Sequence, residues 1–187
     1  VVHMKGSLRG KMPGDEAMQL AGVKSFLAYM LAHPGCKLLF MGGELPQWKE
    51  WDFAGELDWS VLQDAAVSAA HGCIRALNRF YKNNPPLWEN DTDWDGFSWL
   101  VPDDSSNNIL VFLRRDRKGR ELICAVNFSS EMESRAIEGS RSFLQTLRGK
   151  IVNEQIKIPL RVLGPTQCTL GRINNRYVWF CFLLHTS

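Results

Sequence analysis

The fold expected for this chain is decided by residues 32–44, Ala32-His33-Pro34-Gly35-Cys36-Lys37-Leu38-Leu39-Phe40-Met41-Gly42-Gly43-Glu44. A short apolar run over Lys37–Met41 follows a helix-stopping His-Pro-Gly and ends at two glycines. After a helix, such a run is typical of a buried parallel strand. Glu44 then lies just past the strand, where parallel α/β proteins place their site residues.

Helices are predicted on both sides of this strand. The acidic start at Met12–Glu16 leads into apolar residues at helical spacing over Met18–Leu31. A second helical pattern covers Leu62–Tyr81. Asn83-Asn84-Pro85-Pro86 ends that second helix, and this Asn/Pro cluster is the best candidate for a domain boundary.

The pattern changes from helical to β in the second half. Phe97–Val101 is short and aromatic, and Ile109–Leu113 and Leu122–Phe128 are β-rich runs. Arg114–Arg120 joins the last two runs and is interpreted as a solvated hairpin turn, because it is dense in charge and contains a glycine. This half is therefore predicted to be antiparallel β structure.

Composition excludes several classes of function. The formal net charge is +2, which gives no reason to expect a nucleic-acid or membrane partner. The five cysteines lack CxxC spacing, so neither a metal site nor a disulfide framework is expected, and reduced thiols favour a cytoplasmic location. No apolar stretch has the length of a membrane span. Val1-Val2-His3 has neither an initiator methionine nor a signal-peptide layout, which suggests a truncated chain.

Several motifs, in the correct order over roughly the first two thirds of the chain, resemble the glycogen branching enzymes of the α-amylase superfamily. The run over residues 32–44 with Gln47-Trp48-Lys49-Glu50-Trp51 behind it is the most specific of them. The others are Val1–Leu8, Lys11–Asp15, Leu57–Trp59, Leu77–Tyr81, Gly96–Trp99, Val111–Arg115 and Val126–Phe128.

The resemblance implies an α/β plus all-β fold. Residues 1–84 would hold the last two βα units of a TIM (β/α)8 barrel, and residues 85–187 an incomplete C-terminal antiparallel β-sandwich. Two units are too few to close a barrel, so the strand over Lys37–Met41 would have open edges. A piece comprising residues 1–84 alone is expected to be marginally stable or misfolded.

The resemblance also implies a retaining transglycosylation that makes α-1,6 branches in an α-glucan such as glycogen or amylose. One carboxylate would form a covalent glycosyl intermediate and a second acid would protonate the leaving oxygen. In the family, these groups and a third acidic residue lie upstream of the segment that Val1 begins. No catalytic residue, cofactor or metal is therefore expected in this chain, and the intact enzyme would be a monomer.

Substrate-contacting residues are the only site residues predicted within the chain. Tryptophan rings offer flat apolar faces for sugar rings, and polar neighbours could bind hydroxyls. The alternative for each is structural: Glu44 could cap or pair, and the tryptophans could pack the loop onto the barrel. The candidates are Glu44, Gln47, Trp48, Trp51, His3 and Lys5. Met4 and Pro46 depart from the family, which has a glycine and a small residue there.

The resemblance fades after Ser129, and residues 131–187 have two interpretations. A shifted reading frame, compatible with codons for residues 138–145 and 174–186, would leave this region without an evolved fold. In that case the apolar run Tyr177–Leu184 would be an unprotected aggregation-prone segment. Without a shift, that run would be a central strand of the sandwich.

Two other functions compete with a branching-enzyme origin. Another hydrolase of the superfamily, trehalose-releasing or debranching, would differ only in the acceptor. A glucan-binding β module would instead present exposed aromatic side chains on one sheet face, from Trp88, Trp94, Phe97 and Trp99.

Overall fold

The computed structural model of the chain describes residues 4–106, 108–128, 169–173 and 176–181. Two helices are followed by a five-stranded sheet, and short 3-10 turns cover Arg9–Lys11, Trp59–Gln63, Pro85–Leu87 and Trp94–Gly96. The helices and strands are α1 Glu16–Ala32, α2 Ala65–Asn83, β1 Phe97–Asp104, β2 Ile109–Arg115, β3 Glu121–Asn127, β4 Thr169–Ile173 and β5 Arg176–Cys181.

Both predicted helices are confirmed, and each is capped by an aspartate. The Asp15 carboxylate accepts a hydrogen bond from the Met18 amide at 2.9 Å, and α1 ends at the predicted His-Pro-Gly. Asp64 caps α2 by accepting hydrogen bonds from the amides of Ala66 and Val67, at 2.7 and 3.0 Å. Such caps are each worth about 1 kcal/mol. Because Trp59–Gln63 forms a 3-10 turn before this cap, α2 begins later than the predicted Leu62.

The strand predicted over Lys37–Met41 is wrong for this chain. Residues 36–40 have no regular secondary structure, and Leu38, Leu39 and Met41 are 67%, 40% and 58% exposed. A strand exists only through hydrogen bonds to neighbouring strands. No strand in the described part of the chain lies beside this segment, because all five belong to one sheet elsewhere.

The sheet is mixed rather than wholly antiparallel, with strand order β1-β2-β3-β5-β4. The predicted hairpin is confirmed: β2 and β3 pair antiparallel from Ile109↔Asn127 to Arg115↔Glu121. β1 also pairs antiparallel with β2, but β5 runs parallel to β3. The first five residues of the predicted apolar strand Tyr177–Leu184 belong to β5, which lies between β3 and β4 in the sheet. Residues 182–184 lie outside the described residues, and so do residues 131–168.

One core joins the helices to the sheet. It contains buried side chains from α1, α2, the turn at Pro85–Leu87, β2 and β3: Ala28, Leu31, Ala32, Leu77, Leu87, Phe112, Leu122, Cys124 and Val126. Residues from both sides of the predicted boundary therefore share apolar contacts. The division of the chain at residue 84 stays a prediction.

The interpretation of Arg114–Arg120 as a solvated turn is wrong at Arg114. This side chain is fully buried and forms an ion pair with Asp91. Its Nη1 donates to the Ala32 carbonyl at 2.8 Å, and its Nη2 donates to the Leu87 carbonyl at 3.3 Å. Because Ala32 is the last residue of α1, the guanidinium satisfies a carbonyl that the helix leaves without an internal partner.

Asp116 is the second buried charge of this turn. Its carboxylate accepts from the amides of Lys118 and Arg120 at 2.9 and 2.8 Å and pairs with the Arg120 guanidinium. Burial acts to raise the pKa of Asp116, but the hydrogen bonds from Arg120 and Lys118 outweigh it and hold that pKa below the ordinary value. The turn is thus folded around this carboxylate.

Candidate functional site

The candidate site is the loop from Gly42 to Trp51, which follows the apolar run. Gly43 donates to the Phe40 carbonyl at 2.7 Å and Leu45 to the Gly42 carbonyl at 3.0 Å, so the loop opens with two tight turns. Gly42 has a φ of +76°, and a Cβ there would lie 3.0 Å from the side chain of Gln47. Leu45 is fully buried and fixes the loop to the rest of the molecule.

The two polar candidates of this loop are held in different ways. Gln47 is only 7% exposed; its Nε2 donates to the Lys49 carbonyl at 3.0 Å, and its Oε1 has no hydrogen-bond partner in the described part of the chain. Glu44 is half-buried, and its backbone carbonyl accepts from Nδ1 of His71 in α2 at 2.8 Å. Gln47 therefore has a free acceptor atom, while Glu44 ties the loop to α2 through its backbone.

The two tryptophans of the loop differ in how open they are. Trp51 packs edge-on against Phe40, with ring centroids 5.2 Å apart and an interplanar angle of 81°. Trp48 is 53% exposed, and the Arg9 guanidinium lies 4.7 Å from its ring centroid. Trp51 is thus partly used for packing, and Trp48 offers the larger open ring surface.

The N-terminal segment lies against this loop. The amide of Gly6 donates to Oε2 of Glu50 at 2.9 Å, and Arg9 Nη1 donates to the Pro46 carbonyl at 3.3 Å. Lys5, a predicted site residue, is exposed beside the contact made by Gly6. His3, the other candidate of this segment, lies outside the described residues.

The backbone is strained at the two positions near the site where this chain departs from the family. Met4 has a φ of +62° and Pro46 a φ of +24°, both in the region that favours glycine. These are the positions at which a glycine and a small residue were expected. A proline ring favours a φ near −65°, so Pro46 is a strained point of the loop.

Arg9 is a buried part of the site that no local sequence pattern indicates. It is 3% exposed and pairs with Glu16 at the start of α1, in addition to its contacts with Pro46 and Trp48. A single arginine in a short polar segment gives no local signal of burial, since arginine is mostly exposed. Arg9 is buried because the loop over residues 42–51 packs against it through the Pro46 carbonyl and the Trp48 ring.

The aromatic residues of the β half divide into packed and open ones. Phe97 and Trp99 pack on each other and on Phe112, with centroids 5.1 to 5.6 Å apart. Trp94 is 89% exposed, and Trp88 and Trp99 are 41% and 43% exposed, although Trp99 also packs on Phe97 and Phe112. Among the aromatic residues predicted for a glucan-binding β module, Trp94 is therefore the most open.

The described residues contain neither a metal-binding cluster nor a membrane-spanning helix. No group of three histidine, cysteine or acidic side chains converges there as a metal site would require. No helix within those residues has the length and apolar character needed to cross a bilayer.

Comparison with known proteins finds relatives that share part of their sequence with this chain. No family model matches the chain. A 1,4-alpha-glucan branching enzyme of Leifsonia xyli subsp. xyli is 46% identical over 129 residues, covering 69% of this chain and 18% of that protein. The chain matches part of the 1,4-alpha-glucan branching enzymes. The enzyme of Aromatoleum aromaticum is 47% identical over 129 residues, 69% of the chain and 20% of that protein. The enzyme of Frankia casuarinae is 47% identical over 132 residues, 69% of the chain and 16% of that protein.

The resemblance found in the motifs is thereby confirmed, and so is its extent over about two thirds of the chain. The chain spans about a fifth or less of the length of the branching enzymes that it matches. These relatives are named as branching enzymes rather than as hydrolases of the same superfamily.

Proposed function

We propose that this chain provides the end of the catalytic barrel and the adjoining β domain of a 1,4-alpha-glucan branching enzyme. That enzyme would cleave an α-1,4-glucan and transfer the released chain to a 6-hydroxyl, which forms an α-1,6 branch. The identity of 46% over 129 residues with a named branching enzyme carries this proposal. The whole enzyme would act as a cytoplasmic monomer in glycogen synthesis.

The exposed apolar run supports a place in a barrel. Leu38, Leu39 and Met41 present apolar side chains to solvent between α1 and the loop, with no strand among the described residues to pair with them. Neighbouring parallel strands would hydrogen-bond to this segment and bury those side chains. In that arrangement α1 and α2 would belong to the outer ring of helices.

The loop after this run is proposed to contact glucan. The open ring of Trp48 would stack against a glucosyl ring. Oε1 of Gln47 is buried without a partner, so it would accept a hydrogen bond from a sugar hydroxyl only after a movement of the loop that exposes it. Glu44, Trp51 and Lys5 would line the same region as secondary contacts, and His3, which lies outside the described residues, stays a prediction from the sequence. The position just past a barrel strand is where the enzymes of this fold bind their substrates.

The chemistry itself is proposed to need carboxylates from other parts of the enzyme. A retaining glycosyl transfer requires a nucleophilic carboxylate and an acid about 5 Å apart. Of the two acidic residues in the loop, Glu50 accepts from the Gly6 amide, which leaves Glu44, and one carboxylate cannot supply both roles. The chain by itself should therefore bind glucan weakly and leave it unchanged.

Titration of maltoheptaose into the full chain, followed calorimetrically, tests the proposed contact site. Trp48→Ala should weaken binding by roughly 5- to 140-fold, given about 1–3 kcal/mol for an aromatic stacking contact and 1.4 kcal/mol per tenfold change. Trp94→Ala is the matched control, because it removes an equally large ring that is 89% exposed in the β half. Unchanged affinity in Trp48→Ala would contradict the proposal.

A glucan-binding β module is the second candidate, and the open ring of Trp94 favours it. The same titration separates the two functions. Loss of binding in Trp94→Ala, with normal binding in Trp48→Ala, would move the contact from the barrel loop to the β half.

A further inference from the structure

Trp48 is held in place by a buried cation rather than by the apolar core. The Arg9 guanidinium lies 4.7 Å from the ring centroid, while the residue as a whole remains 53% exposed. An indole is the strongest of the protein rings for binding a cation over its face. One face of Trp48 is thus occupied by Arg9, and the exposed surface is the remainder of the ring.

Arg9 is itself fixed by contacts on two sides. Its guanidinium pairs with Glu16 in the first turn of α1 and donates to the Pro46 carbonyl, two residues before Trp48. It is only 3% exposed, so the charge is largely removed from water. A desolvated cation binds an aromatic face more strongly than a solvated one. The arginine therefore joins α1, the loop backbone and the ring.

From this geometry we propose that Arg9 is a positioning residue that orients Trp48 as a sugar-stacking platform. This inference rests on the proposed glucan contact at Trp48 and goes beyond it by naming the group that sets the ring orientation. A ring held from one side loses less conformational freedom when a sugar binds its other side. The arginine acts through the tryptophan and needs no contact with the sugar.

The orientation of Trp48 can be measured without any ligand. The full chain is labelled with 5-fluorotryptophan, and the Trp48 fluorine resonance is assigned by its loss in Trp48→Phe. In Arg9→Met the resonance should move toward the position of free 5-fluorotryptophan, because the charge over the ring is gone. Arg9→Lys, which keeps the charge, should restore part of the shift. Lys49→Met is the matched control, since it removes an exposed cation of the same loop.

Maltoheptaose titration gives the functional measurement. Arg9→Met should weaken binding by roughly 3- to 10-fold, the equivalent of one cation–ring contact. Arg9→Lys should recover part of that loss, and Lys49→Met should bind as the unchanged chain does. Glu16→Gln tests the anchor separately. Because Glu16 is 60% exposed, this variant should fold normally and show a smaller shift and a smaller loss of affinity.

The outcomes separate this inference from the proposed function. If Trp48→Phe and Trp48→Ala bind maltoheptaose normally, the proposed contact between Trp48 and glucan is wrong. The fluorine shift in Arg9→Met still decides, in that case, whether the arginine orients the ring. If Trp48→Ala loses affinity while Arg9→Met and Glu16→Gln keep both the resonance and the affinity, the positioning role is overturned. Should Arg9→Met fail to fold, the Glu16→Gln and Arg9→Lys spectra decide in the same way.

Discussion

Replacing Arg114 with methionine should destabilise the chain more than any other single arginine substitution in the hairpin. Methionine fills a similar volume but removes the charge paired with Asp91 and the donors to the Ala32 and Leu87 carbonyls. These contacts join the end of α1, the 3-10 turn at Pro85–Leu87 and β2. The substitution therefore acts where the helices meet the sheet.

The expected loss is about 3–4 kcal/mol of unfolding free energy. Removing one partner of a buried ion pair costs about 3–5 kcal/mol, because the other charge stays buried without compensation. The lower part of that range applies here, because the Asp91 carboxylate would keep some compensation. Nζ of Lys37 lies 3.7 Å from its Oδ2, and 18% of the Asp91 side chain is exposed to water. Arg115 is the matched control: it pairs with Glu121 but is 38% exposed in its side chain, so Arg115→Met should cost about 0.5–1 kcal/mol.

Urea unfolding of the full-length chain, followed by circular dichroism, measures both variants. With a slope of about 2 kcal/mol per molar urea, Arg114→Met should lower the midpoint by about 1.5–2 M. The double variant Arg114→Met, Asp91→Leu should regain part of the loss, because it removes the stranded carboxylate as well. Equal midpoints for Arg114→Met and Arg115→Met would refute the structural role assigned to Arg114.

Other substitutions and probes test separate parts of the structure. Gly96→Ala would place a Cβ 2.0 Å from a backbone oxygen and should cost about 1–3 kcal/mol in thermal unfolding. Gly72→Ala, in an exposed turn of α2 with no atom within 4 Å, should instead stabilise by about 0.5–1 kcal/mol. Because the folded-state pKa of Asp116 lies below its ordinary value of 3.8, its carboxylate contributes stability that is present above that pH and lost as pH falls through the lowered pKa. The unfolding free energy of Asp116→Asn should therefore be lower than that of the unchanged chain at pH 7, and the difference should shrink as the pH is lowered below 3.8; a constant difference would contradict this. Burial raises the pKa of Cys124 to about 12, so peptide mapping after iodoacetamide treatment at pH 8 should find Cys36 alkylated and Cys124 protected.

Elements whose signals are local were predicted correctly from the sequence. The helical spacing before His33 predicts α1 with nearly its observed limits. The charged turn between two β-rich runs predicts the β2–β3 hairpin in the same way. Caps, helix breakers and alternating patterns act over a few residues, so a sequence displays them directly. The loop that contains Trp48 and Gln47 has a defined backbone in the structure, but its contact with a sugar stays a prediction.

Features that depend on distant partners were missed. The segment Lys37–Met41 has the composition of a buried strand, but pairing is a property of neighbours, and none of the described strands lies beside it. Arg114 was placed in solvent because its neighbours in sequence are charged, whereas the carbonyl it binds belongs to Ala32, 82 positions away. Arg9 was missed for the same reason, since its ring and carbonyl partners lie in the loop around Pro46 and Trp48.

A branching assay on the chain itself tests the central claim most directly. Amylose is incubated with the purified chain, the iodine complex is followed by absorbance, and α-1,6 linkages are counted by proton NMR. We predict an unchanged iodine spectrum and no new linkages, since the proposed transfer needs two carboxylates about 5 Å apart that we expect from other parts of the enzyme. A falling absorbance accompanied by new α-1,6 signals would contradict the account.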